Sequence, residues 1–175
     1  MKVLAAALLV LMTACGKGNV ILNVDVLSFL SASDSTKQYN VIGGLPPVDS
    51  TVSRRFSLPP GFGKSSVDSV SASFSSQLQN ATGGGRVTVQ VFFSQSQGSL
   101  YSGTPYLTDS SGHVSGVQSA PLGTNSLRLA DTVFNTDSLW VGIRARITTD
   151  SGPNMTGLLR FTDLRVRVVL EDKIL

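Results

Sequence analysis

Between Ser69 and Leu78 the sequence reads SVSASFSSQL, and this stretch limits the fold more than any other. Val70, Ala72, Phe74, Ser76 and Leu78 alternate with Ser69, Ser71, Ser73, Ser75 and Gln77, a period of two that puts one set on the buried face of a β-strand and the other in water. On a helix of 3.6 residues per turn the same spacing would scatter the apolar side chains around the cylinder. Asn80 to Gly85 (NATGGG) then turns the chain, because glycine takes positive φ without steric penalty. Arg86 to Phe93 follows with Val87, Val89, Val91 and Phe93 on one face. The two segments are expected to pair as a hairpin.

The same signature recurs elsewhere. In Val20 to Leu30, Leu22, Val24 and Val26 oppose Asn23 and Asp25. Ser31 to Lys64 is broken by Gly43-Gly44, Pro46-Pro47 and Pro59-Pro60-Gly61, so its short apolar pieces near Tyr39 to Ile42 and Val52 to Leu58 are expected as edge strands or loops, since Pro cannot donate to a sheet ladder. Ser94 to Asn125 is rich in Ser, Gly, Thr and Pro, which predicts long surface loops around one short strand near Ser99 to Leu107. Ser126 to Asn135 reads either as a strand or as a short helix capped by Asn125 or Ser126. A second expected hairpin joins Leu139–Ile147 to Leu158–Glu171. In its first strand Leu139, Val141, Ile143, Ala145 and Ile147 share a face; in its second Leu164, Val166, Val168 and Leu170 do, with Leu159 and Phe161 in the opposite phase. That phase change predicts a bulge near Thr162-Asp163.

About eight strands with frequent turns predict an all-β fold, an antiparallel β-sandwich of jelly-roll or immunoglobulin-like architecture. Glu171 is the only glutamate and helix formers are scarce, which agrees with strands. No cysteine pair flanks Trp140, so a true immunoglobulin domain has no support.

At the N-terminus Met1-Lys2 gives a positive start, Val3 to Met12 is apolar throughout, and Thr13-Ala14 are small. A run of this length is about half of what a membrane-spanning helix needs, and it reads as an export signal. Met12-Thr13-Ala14-Cys15 resembles the lipobox of bacterial lipoproteins. The resemblance implies cleavage before Cys15, a diacylglycerol on its sulfur, and an exported protein anchored to a bacterial membrane of the cell envelope, the outer membrane where the cell has one. It also implies a signal peptide over 1–14 and a lipidated N-terminus and short tether over 15–19; the length that remains predicts a single β-sandwich domain over 20–175. Two or more acyl chains give stable anchoring. With a single cysteine, an intrachain disulfide is excluded.

Composition argues against several functions. Removing residues 1 to 14 takes only Lys2 from the 14 Lys+Arg and none of the 11 Asp+Glu, leaving a formal charge of +2, too weak for a nucleic-acid binder. The triple glycine lacks the Gly-Lys-Ser/Thr ending of a phosphate loop. A hydrolytic triad would have to be built on His113, the sole histidine, with Asp109 nearby, yet both sit in turn-forming sequence. Paired carboxylates of the glycosidase kind would have to come from Asp25, Asp68 or Asp163, which read as ordinary solvated aspartates. No catalytic residue is therefore expected, and no cofactor. Zinc finds no suitable ligand set. Calcium would find oxygen ligands only in Asp150–Asn154 and around Asp34, without EF-hand spacing.

The remaining candidate is a binding face. Opposite the apolar side of the expected C-terminal hairpin stand Trp140, Arg144 and Arg146 on one strand and Arg165 and Arg167 on the other. If those strands pair, four arginines and the sole tryptophan share one outward surface. Arginine binds carboxylate and phosphate in a planar fork, and tryptophan stacks on sugars. Such a face would recognise an anionic glycan, an anionic lipid headgroup or an acidic envelope protein. The plainer reading is a solvated face whose arginines pair with Asp131, Asp137 or Asp163. The sequence thus points to a non-catalytic, lipid-anchored binding or scaffolding protein, with a carbohydrate-binding module as the alternative and a small envelope hydrolase behind it.

Overall fold

The computed structural model describes residues 18–58 and 66–172; the lipobox, Cys15 and the signal segment lie outside them. Ten strands make up nearly all of the regular structure: β1 (Gly18–Asp25), β2 (Thr36–Val41), β3 (Val48–Ser57), β4 (Ser66–Thr82), β5 (Gly84–Ser94), β6 (Leu107–Ser110), β7 (Val114–Ser115), β8 (Gln118–Leu129), β9 (Ser138–Thr149) and β10 (Met155–Asp172). The helical content is a four-residue helix α1 (Ala32–Ser35) and two single 3-10 turns at Leu27–Phe29 and Thr132–Phe134.

The strands form two antiparallel sheets. The first, sheet I, runs β1-β10-β4-β8, with β2 continuing the β1 edge along β10; the second, sheet II, runs β3-β9-β5-β6, with β7 continuing the β6 edge along β5. Counting β1+β2 and β6+β7 as one strand each, eight strands pair first with last, second with seventh, third with sixth, and fourth with fifth. A ribbon doubled back on itself and wrapped into two sheets is a jelly roll, which decides between the two architectures left open by the sequence. The inner faces carry the expected residues: Val70, Ala72, Phe74 and Leu78 of β4, Val87, Val89, Val91 and Phe93 of β5, and Leu139, Val141, Ile143, Ala145 and Ile147 of β9 are buried together. The phase change in β10 is also present, as a register shift between Phe161 and Asp163 that keeps Leu159 and Phe161 on the same buried side as Leu164 and Val166.

Neither expected hairpin forms. β4 belongs to sheet I and β5 to sheet II; likewise β9 belongs to sheet II and β10 to sheet I. Each consecutive pair is an arch that crosses the core. At the first arch the triple glycine permits a close crossing: Gly83 takes φ +68°, and a Cβ there would lie 2.5 Å from the Asn154 carbonyl oxygen, while one on Gly84 would lie 2.4 Å from a carboxylate oxygen of Asp150. The two arches thus press against each other. Buried Asn80 ties them to their surroundings, accepting from the Tyr39 hydroxyl (2.9 Å) and donating to the carbonyls of Gly83 (3.1 Å) and Gly116 (2.7 Å). The Ser/Gly-rich region is also more ordered in strands than its composition suggests. It holds β6, β7 and the start of β8, while 99–106 is turn rather than strand. Ser126 to Leu129 ends β8, and the following 3-10 turn is capped by Asp131 rather than by Asn125 or Ser126.

The edges of the two sheets are joined at Asp34. Its carboxylate accepts from Ser31 Oγ (2.8 Å), Lys37 Nζ of β2 (3.2 Å) and Arg54 of β3 (2.5 Å). The serine hydrogen bond first, then the two cations, hold its carboxyl at about 2 against a usual 3.8. A carboxyl depressed on folding stabilises the native state above its unfolded value, and that contribution disappears as pH falls toward the folded value. Unfolding in urea should therefore show stability falling by on the order of 1–2 kcal/mol between pH 4 and pH 2, and Asp34→Asn should remove much of that slope; an unchanged slope would disprove the assignment. Gly83→Ala should destabilise by roughly 2–4 kcal/mol, as strained φ and a backbone clash together imply, measurable by the same titration.

Candidate functional site

Because β9 and β10 lie in different sheets, the five residues expected on one face are divided. Trp140, Arg144 and Arg146 lie on the outer face of sheet II, and Arg165 and Arg167 lie on the outer face of sheet I, with the whole core between them. The cluster inferred from the sequence does not exist as a single surface. Each half has to be judged by the partners of its side chains.

On sheet II the arginines are already engaged. Arg146 makes a two-pronged ion pair with Asp49 of β3, Nε to Oδ1 at 2.7 Å and Nη2 to Oδ2 at 2.8 Å, which also holds the Asp49 carboxyl below its usual range. Arg144 donates twice to Gln90 Oε1, at 2.8 and 2.7 Å, and its guanidinium lies 4.8 Å from the Phe92 ring centre. The 95–106 segment folds back across this face: Leu100 is buried, the Tyr101 ring meets Phe92 edge-on at 5.4 Å, and the Tyr101 hydroxyl donates to the Val52 carbonyl at 2.8 Å. Gly142 makes room, since a Cβ there would be 2.7 Å from Leu100. Phe92 and Leu100 form a small outer core that the strand alternation does not reveal. Half-buried Trp140 adjoins it, in register with Arg55 and Ser94.

The outer face of sheet I is open. Its residues stand in cross-strand rows: Asp25, Arg165, Ser73 and Asn125 in one, Asn23, Arg167, Ser71 and Leu127 in the next, and Ile21, Val169, Ser69 and Leu129 in the third. The small serines of β4 form the floor of a shallow trough of about 840 Å³ between the arginines of β10 and the side chains of β8. Arg165 is paired in its own strand with Asp163 at 2.7 Å, one of the aspartates expected for this role. Asp25 accepts from the amides of Leu27 and Ser28 and so also ends β1. Exposed Arg167 has no ion-pair or hydrogen-bond partner among the described residues. Leu127 and Leu129 are 67% and 74% exposed.

A second concavity, of about 530 Å³, lies between the sheets where the β1 and β3 edges part, with walls that include Leu22, Val24, Phe56, Phe93 and Leu139. Nothing in the sequence signalled it, because it is made of inward-facing residues that read as core. Its described lining is mostly apolar, with Asn23, Asp25, Ser28, Arg55 and Ser57 as the polar members. His113 is exposed and meets Asp150 Oδ2 at 2.7 Å, not Asp109, whose carboxylate accepts from the amides of Ser110 and Gly123. The Asp150–Asn154 loop is a structural junction, with the Asp150 amide donating to Gly84 and its carbonyl accepting from Gly44. Among the described residues no three His, Cys, Asp or Glu side chains gather as a metal site.

No family model and no curated protein sequence matches the chain. It is similar to a solved structure of the infectious bursal disease virus Gx strain, at 10% identity and TM-score 0.49, over 90% of this chain and 33% of that one. The Gt strain of that virus matches at 9% identity and TM-score 0.44, over 87% and 37%. A structure of TmCBM61 in complex with β-1,4-galactotriose matches at 10% identity and TM-score 0.29, over 82% and 81%. The chain spans about a third of the length of the viral chains. Likeness at this level assigns no residue a role.

The two groups of arginines should separate in stability measurements. Arg144→Ala removes two hydrogen bonds and the stem that covers Phe92, and should cost about 1–2 kcal/mol. Arg167→Ala should stay within about 0.5 kcal/mol of wild type. Equal losses in chemical denaturation would contradict the division.

Proposed function

We propose that the protein is an exported, lipid-anchored protein of the cell envelope with a binding or scaffolding role and no catalytic one, and that it works through the outer face of sheet I. The observation that carries this reading is Arg167: an exposed guanidinium without a partner among the described residues, set in an open trough beside two exposed leucines. On the covered sheet Arg144 and Arg146 are stacked or neutralised; exposed Arg86 and Arg160 also lack a partner among the described residues, but neither stands in this trough. A free planar donor fork is suited to phosphate or carboxylate. The anchor reading comes from Met12-Thr13-Ala14-Cys15 and fits a β1 that opens at Gly18, only three residues after the cysteine.

A carbohydrate-binding role is the second reading. Asn23, Asn125, Ser71, Ser73 and the arginines give the trough enough donors and acceptors for sugar hydroxyls. Among the described residues, however, the trough contains no aromatic ring, and Trp140 stands on the opposite sheet; the described part of this face therefore offers no stacking platform. A hydrolase has less support, since the sole histidine is exposed and hydrogen-bonded to a loop aspartate.

Expression of the full chain in a bacterial host tests the anchor. Wild-type protein should fractionate with membranes and yield an N-terminal peptide starting at Cys15 with a diacylglyceryl thioether, and Cys15→Ser should release most of it into the soluble fraction. An unmodified Cys15 in the native product would refute the reading.

A further inference from the structure

The leucines of β8 point the wrong way for a protein surrounded by water. Along Ser126-Leu127-Arg128-Leu129 the polar Ser126 and Arg128 face inward, in register with Ala72 and Val70, while Leu127 and Leu129 face out. A slip of one residue would exchange the two faces. What prevents it is Arg128, which donates to the Pro105 carbonyl at 2.9 Å and lies 3.8 Å from the Tyr106 ring centre. The exposed leucines belong to a locked register.

They also have company. Leu129 shares a row across all four strands with Ser69, Val169 and Ile21; Ile21 at its other end is 49% exposed, and Val169 between them is buried at 7%. Arg167 stands in the adjoining row. This apolar row is at the end of the sheet where β1 begins: Gly18 to Ile21 is three residues of strand, roughly 10 Å, and Cys15 precedes Gly18 by three residues, about 11 Å when fully extended.

We propose, building on the lipid-anchor reading, that this end of sheet I lies against the bilayer, with Leu127, Leu129 and Ile21 in the headgroup–acyl boundary and Arg167 on a lipid phosphate. The occupant is a phospholipid surface. An anchor so close to the row brings that surface within reach, and a polar glycan has no use for two exposed leucines. Beyond Arg167 the charges balance, Arg165 being paired with Asp163 and facing Asp25 in register, and the row on the other side of the apolar one sets Glu171 between Asn19 and Ser66. Docking therefore depends on apolar insertion and a phosphate contact, not on net charge, and it persists on zwitterionic lipid. Sheet II, with Trp140 and the 95–106 segment, faces away from the membrane.

The test uses full-length protein bearing Leu127→Cys or, on the outer face of sheet II, Thr51→Cys. Both positions are exposed, so neither change disturbs the core, and a lipidated Cys15 leaves only the new thiol to carry an environment-sensitive fluorophore. In phosphatidylcholine vesicles containing brominated phospholipid, the label at 127 should be quenched at least several-fold more than the label at 51, and the difference should survive high salt. Equal quenching of the two labels, with lipidated Cys15 confirmed by mass spectrometry, would overturn the docking and leave the anchor standing. So would a label at 127 that is shielded without bromine quenching in a crosslinked dimer, since a second copy would then cover the face, or one that becomes shielded only on adding soluble glycan. A bare Cys15 in the same preparation would remove the anchor itself.

Discussion

An eighteen-residue strand through the middle of a sheet must satisfy its backbone groups on both edges, and β10 does so with three different partners. β4 runs along one edge for nearly its whole length; β2 and then β1 share the other. Between those two partners, residues 26–35 leave the sheet, and β10 carries its bulge at Phe161–Asp163 opposite the gap. The bulge compensates for the interruption: it resets the phase so that inward-facing side chains on both halves of β10 meet the same core. Asp25 begins the excursion by accepting two amides, Val26 is still tied to Leu164 at 2.9 Å, and Asp34 ends it by fastening both sheet edges. Stable pairing of β10 thus fixes where the polar groups of the N-terminal segment must go.

The two outer faces differ because only one is covered. On sheet II the 95–106 segment supplies Leu100 and Tyr101 over Phe92 and Gly142, and the arginines beside them become structural, Arg144 bonded to Gln90 over the Phe92 ring and Arg146 paired with Asp49. On sheet I no described segment crosses the corresponding rows, and the serines of β4 are too small to fill the space between β10 and β8. The same residue type therefore has different roles on the two sheets. Arg144 is part of a packed surface, whereas Arg167 is available to a partner.

Which face is buried was legible in the sequence for β1, β4, β5, β9 and β10, and which strand lies next to each was not. Alternation at Val70–Leu78 and Val87–Phe93 identifies inward residues, and the phase change between Phe161 and Leu164 locates a bulge, because both follow from the pleat of a single strand. A hairpin and an arch, however, place their inward residues with the same period. Gly83–Gly85 suits a tight turn of either kind, and only the fit of the glycines against Asp150 and Asn154 shows that the chain crosses the core. The Arg/Trp cluster was misplaced for this reason, its residues correctly assigned as outward but its strands wrongly assumed to be neighbours. β8 was only partly recognised, since Gln118 to Asn125 carries Ala, Pro and Gly where a central strand would carry branched side chains, a composition an edge strand tolerates. Phe92 and Gly142, buried on the wrong side of their strands, are explained only by the 95–106 segment that covers them.

Edge strands that expose apolar side chains invite pairing with other chains, and folded proteins usually blunt them with charge or proline. β8 has a proline at 121, but its last four residues present Leu127 and Leu129 to the outside. The inverted register is held by a chain of contacts: Arg128 on Tyr106, the Tyr106 hydroxyl on the Asp131 carboxylate, and Asp131 capping the 3-10 turn that carries Phe134 into the core against Phe93. Exchanging the faces would bury two leucines and break the Arg128 end of that chain, so the exposed leucines are held in place by a contact that leads on to the turn seating Phe134. A surface maintained at this depth in the structure, beside the start of β1 and next to an arginine without a partner among the described residues, is the ground on which the proposed membrane docking rests.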